Sequence, residues 1–116
     1  MPTRNQHLAK ETRSGALAAL LREDGTFTEW EIVAVANRAL HLVEAYLAER
    51  DIHHLAHGAR NRAVRASLPA IVLPYENLQE LSRIARYDPE ARLTVADYEV
   101  ALSDFVLVEA ELRPRL

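Results

Sequence analysis

Thr28-Glu29-Trp30-Glu31-Ile32-Val33-Ala34-Val35-Ala36-Asn37-Arg38-Ala39-Leu40-His41-Leu42-Val43-Glu44-Ala45-Tyr46-Leu47-Ala48-Glu49-Arg50 is the stretch that decides the fold class. Trp30, Val33, Ala36, Leu40, Val43 and Leu47 recur at spacings of three and four, the period that gathers side chains on one face of an α-helix. Ile32, Val35, Leu42 and Tyr46 add apolar surface beside that stripe. A helix apolar over so much of its circumference needs neighbours on more than one side, so residues 28–50 are expected to be the central helix of an all-α protein. Thr28, with Glu31 three residues on, has the form of a capping box at its start.

Further helices are expected on both sides of it. Residues 3–22 carry a stripe of Leu17, Leu20 and Leu21 behind a polar front half, and Glu23-Asp24-Gly25 reads as a helix stop. Residues 57–67 form a helix with a thin face of Ala59, Ala63 and Ala66, ended by Pro69. Pro69 to Pro74 reads as an apolar connector, whose Ile71-Val72-Leu73 run is a first guess for a dimer contact. Residues 75–87 turn Leu78, Leu81 and Ala85 inward and stop at Asp88-Pro89. Thr94 with Asp97 caps a last helix over 95–112. Its expected buried stripe is Tyr98, Ala101, Leu102, Phe105, Val108 and Leu112, with Asp97, Asp104 and Glu111 on the opposite, solvated side. Short connections between successive helices suit an up-and-down bundle of about five helices in a single domain, residues 1–116.

Composition agrees. The chain has 116 residues, of which 49% are apolar and 27% charged, enough to build one core without disorder. Glycine (3) and proline (5) are scarce, which favours helix. With no cysteine, disulfides and thiolate chemistry are excluded. Met1 to Lys10 has no apolar signal core and no stretch is long enough to span a bilayer, so no membrane association and a cytoplasmic location are expected. The net charge of −3 is unevenly spread. Ile52 to Tyr75 contains arginines and histidines without an acid, whereas Asp88 to Glu111 is acidic but for Arg92. Such a dipolar chain suits contact with a nucleic acid on one face, pairing with itself, or an ordinary solvated surface.

The order of these elements resembles the HEPN family of nucleotide- and nucleic-acid-associated helical domains. Val35 to Ala48 is similar to that family's long Ala-rich second helix, and His57-Gly58-Ala59-Arg60 to the short His-containing start of its third. Leu78-Gln79-Glu80-Leu81-Ser82-Arg83-Ile84-Ala85-Arg86-Tyr87 resembles the fourth helix with its Arg-x-x-Ala-x-Tyr ending. The resemblance implies a bundle that often forms homodimers. It also implies a role either beside a minimal nucleotidyltransferase partner, as in toxin–antitoxin pairs, or as an RNA-cleaving toxin using Arg followed four to six residues later by His. No histidine follows His57, so Arg83 and Arg86 lack that partner. Arg50 and His57 have the spacing but straddle a loop elsewhere. The expectation is therefore a non-catalytic module that binds nucleotide or RNA, or acts with a nucleotidyltransferase. A degenerate ribonuclease built on Arg50 and His57, and a helical protein–protein interaction domain, are the alternatives.

Candidate binding residues fall in two groups. Arg83, Arg86 and Tyr87 share one helical face, where guanidinium forks would take phosphate oxygens and the phenol would stack on a base. The plainer reading pairs Arg83 with Glu80 or Glu76 and uses Tyr87 to plug the bundle end. Arg60, Arg62 and Arg65 with His57 form a second basic group, readable as a phosphate-tracking surface or a solvated helix. His53, His54 and His57 have ligand-like spacing but lack the companions of a metalloprotease site, so no metal or cofactor is expected. His41, mid-helix among apolar neighbours, is expected to be a hydrogen-bonded core or interface residue.

Overall fold

The computed structural model describes residues 1–53 and 56–116, and among these all regular structure is helical. Five α-helices run α1 Arg4–Asp24, α2 Thr28–Glu49, α3 His57–Ser67, α4 Val72–Tyr87 and α5 Val95–Leu112, with 3-10 turns at Pro69–Ile71 and Arg113–Arg115. As its apolar circumference demands, α2 is the central element and packs against α1, α4 and α5. Ile32, Ala39, Leu42, Val43 and Leu47 of α2 are fully buried with Tyr75, Leu78, Phe105 and Leu112 of the surrounding elements.

Polar contacts fix the directions. Arg4 pairs with Glu49, Glu11 with Arg38, and Arg22 approaches Glu31, so α1 runs antiparallel to α2. Arg22 lies 4.8 Å over the Tyr98 ring and Arg113 reaches Glu11, so α5 runs antiparallel to α1 and parallel to α2. Four long helices thus alternate as an up-and-down bundle, with short α3 leaning on α4. Helix ends follow known chemistry. Thr94 and Asp97 form the expected capping box, Thr3 and Gln6 form another, and Gly25 takes the left-handed conformation (φ 81°) that closes α1.

Several expectations are corrected. Phe27, not Thr28, is the N-cap of α2, and no side chain caps it. Glu31 is instead fully buried, with neither carboxylate oxygen in a hydrogen bond among the described residues and Arg22 at 3.7 Å. Pro69 to Pro74 is no connector. A 3-10 turn leads directly into α4, where Pro74 sits in the first turn, a place with no amide bond to lose. Ile71 is core, while Leu73 is exposed. On α1 the leucine stripe is wrong, since Leu17 and Leu20 face solvent and Glu11 and Ala18 face α2. Trp30 and Leu102 are likewise exposed. Asp97, Asp104 and Glu111 lie half-buried at the flank of α5 rather than opposite its core face. Burial holds the Asp104 carboxyl above its usual range.

Each buried glutamate among the described residues stands close to arginine from another element. Glu11 accepts from Arg38 at 3.1 Å and from Arg113 at 2.9 Å, tying α1 to α2 and to the end of α5. Glu44 of α2 accepts from Arg60 of α3, and both are almost wholly buried. A buried ion pair adds little net stability, but its rupture leaves an uncompensated charge in the core. Arg60→Met alone is therefore expected to lower unfolding free energy by about 3–5 kcal/mol, and Glu44→Leu added to it should recover most of that loss. Urea denaturation of both variants measures the difference.

Candidate functional site

Two polar regions flank α3. The first is a groove between α3 and α4 of about 620 Å³, lined by His57, Asn61 and Arg65 from α3 and by Glu76, Gln79, Glu80, Arg83, Arg86 and Tyr87 among others from α4. Helical spacing builds both walls. Positions 57, 61 and 65 recur every four residues, and positions 76, 79/80, 83 and 86/87 every three or four, so each set forms one stripe.

Residues from both predicted basic groups meet here, although the groups themselves divide. Arg83 donates to Glu80 at 3.0 Å, and this contact holds the Glu80 carboxyl below its usual range. Arg65 pairs with Glu76 at 2.7 Å. Arg86 bonds the Ser82 carbonyl and lies 4.9 Å over the Tyr87 ring, with no carboxylate partner among the described residues. Tyr87 is 69% exposed, so it does not plug the bundle. Asn61 and Gln79 each bury one amide atom that meets no partner among the described residues, Oδ1 and Nε2 as assigned. Arg60 is turned inward to Glu44 and is lost to this surface, while Arg62 is exposed and outside the lining.

Arg50 and His57 are engaged separately. Arg50 donates to the Tyr46 carbonyl and stacks 3.5 Å over its ring, whereas His57 Nδ1 lies 3.1 Å from Arg60 Nη1. No hydrogen bond joins Arg50 to His57 among the described residues.

The second region lies on the other side of Arg60, around a cavity of about 210 Å³ lined by His7, His41, Glu44, His53 and Arg60 together with Met1, Pro2 and Leu40. His7 Nδ1 is 3.2 Å from His41 Nδ1, so one ring donates and the other accepts. Burial, more than any neighbour, lowers the pKa of both rings. Tyr75 is buried nearby, close to Arg60, and desolvation pushes its phenol well above the usual range. His53 faces Asp51 at 3.4 Å, and His54 lies outside the described residues. No group of three or more metal-ligating side chains occurs among the described residues.

Sequence reading found the groove's cations but missed its amides, whose burial depends on how α3 docks. His41 was legible as a polar residue on an apolar helix; its partner His7, far away in the chain, was not. No family model matches the chain, and no curated protein or solved structure is significantly similar to it.

The histidine pair makes folding sensitive to acid. Both folded-state pKa values lie below the unfolded value of 6.5, so the unfolded chain binds more protons between them. Stability is expected to be constant above about pH 6.5 and to fall as pH drops below it, until the folded-state values are passed. Denaturant midpoints followed across this range should show that fall in the wild type and a shallower one in His41→Gln.

Proposed function

We propose that this protein is a non-catalytic, HEPN-like binding module that works as a homodimer and takes the phosphate groups of a nucleotide or RNA segment in the groove between α3 and α4. One observation carries the reading: arginines from both basic stretches, the exposed Tyr87 ring and two amides, each with one atom unpartnered among the described residues, meet in a single concavity. The ion pairs already there do not argue against it. Exposed pairs such as Arg83–Glu80 contribute little stability, and a phosphate can compete for the guanidinium with bidentate geometry. Arg86 is the first anchor, because no carboxylate has to be displaced, and Tyr87 beside it offers a face on which a base can stack.

The non-catalytic part of the reading rests on the different partners that Arg50 and His57 take, the Tyr46 carbonyl for the one and the Arg60 guanidinium for the other.

Binding of a short single-stranded RNA, followed by fluorescence anisotropy at several salt concentrations, tests the proposal. Arg83→Ala plus Arg86→Ala is expected to weaken binding and to flatten the plot of log affinity against log salt by about 0.7 for each phosphate contact removed. Tyr87→Ala should weaken binding without changing that slope. Unchanged affinity and slope in the arginine variant would remove the groove as the binding site.

A further inference from the structure

The aromatic side chains divide by position. Tyr46, Tyr75, Tyr98 and Phe105 are buried, whereas Phe27, Trp30 and Tyr87 are exposed. Trp30 and Tyr87 line one cavity of about 450 Å³, bounded by the first turn of α2, the end of α4 and the segment 88–94 that leads into α5. That volume lies within the range of about 300–1,000 Å³ usual for small-molecule sites. Its wall is held in shape by bonds of its own. Asp88 accepts from the Glu90 amide at 3.0 Å, and the Ala91 amide bonds the Asp88 carbonyl. Leu93 packs against the core, and Thr94 is fixed in the cap of α5.

Arg86 and Tyr87 line both this cavity and the groove between α3 and α4. A ligand anchored at Arg86 therefore has concave surface on either side of the Tyr87 ring. The two concavities differ in their acids. In the groove Glu76 and Glu80 are paired with arginine, whereas the exposed Glu29 and Asp88 of the cavity form no ion pair among the described residues. Arg92, the cavity's other guanidinium, holds the loop by the Glu90 and Ala91 carbonyls. Unpaired carboxylates repel a phosphate but accept hydrogen bonds from the N–H groups on the edge of a nucleobase. Flat apolar surface with acceptors beside it is the environment of a base, not of a phosphate.

We propose that one base of a single-stranded RNA enters this cavity and stacks on Trp30, while the phosphate that joins it to the next nucleotide lies at Arg86. The strand then crosses Tyr87 and continues into the groove. This inference rests on the reading of the groove given above and narrows it, because a free nucleotide fills one concavity and leaves the other empty. The ligand is a strand of at least two nucleotides. Stacking on Trp30 is tolerant of sequence, since every base has a π-face.

Trp30 is the one tryptophan of the chain, so its emission reports on this cavity in the unaltered protein. Titration at low salt with a single-stranded RNA hexamer is expected to quench that emission with the same midpoint as the rise in anisotropy of the labelled hexamer. Adenosine monophosphate over the same concentrations should leave the emission nearly unchanged. In Trp30→Leu, with helicity unchanged by circular dichroism, hexamer affinity should fall roughly tenfold while the slope against log salt stays the same. A hexamer that binds through Arg83 and Arg86 without altering Trp30 emission overturns the cavity and leaves the groove standing. Quenching by the monophosphate at the hexamer's own midpoint overturns the requirement for a strand. A hexamer that does not bind at all overturns cavity and groove together.

Discussion

The ion pair between Glu44 and Arg60 governs how the rest of the molecule is arranged. Glu44 sits on the central helix with its carboxylate almost wholly withdrawn from water, and Arg60 of α3 is nearly as buried. Neither charge is tolerable alone in such a place, so α3 has to dock where the two meet. Arg60 and Val64, the two buried positions of α3, define its inward side, and His57, Asn61 and Arg65 are then carried to the side that faces α4. The groove is thus a consequence of which arginine is buried. The Glu11 carboxylate performs the same service at the other side of α2, where Arg38 and Arg113 hold α1 and the end of α5 in place.

Pairing of this kind explains why one arginine in a basic stretch is structural while its neighbours stay available. On a helix, positions 60 and 64 share one face and positions 61 and 65 the next, so a rotation of one residue separates an inward arginine from an outward one. Composition alone does not distinguish them. The same logic places the neutral histidines. His7 and His41 meet where α1 closes over α2, and desolvation there favours the uncharged rings that share one hydrogen bond.

Much of the fold was legible because it follows from periodicity. Five helices, the central position of α2, the Gly25 stop and the Thr94–Asp97 cap all depend on local spacing and local hydrogen bonds. What failed depended on tertiary packing. Thr28-x-x-Glu31 has the form of a capping box, yet Glu31 turns into the bundle and Phe27 takes the cap position. Pro74 looked like a break, but proline is compatible with a first helical turn. The Leu17–Leu20–Leu21 stripe looked like a core face because leucine usually is one, whereas α1 packs through Ala18 and the charge network around Glu11. At the site, Arg65, Arg83, Arg86 and Tyr87 could be nominated from helical spacing, but not their convergence, because α3 and α4 have to be brought together first. Arg60 could not be told from Arg65 without knowing that Glu44 was waiting for it.

The bundle therefore presents a polar groove on the α3–α4 side and, across Arg86 and Tyr87, an aromatic-lined cavity at the start of α2. The central claim is that the first receives phosphate-bearing ligands. An amide chemical-shift titration with a short single-stranded RNA tests it most directly, because it reports location without altering any side chain. Shifts concentrated on Asn61, Arg65, Gln79, Arg83, Arg86 and Tyr87 are the predicted result. A spectrum that does not respond, or shifts centred on α5 or on the His7–His41 cavity, would contradict it.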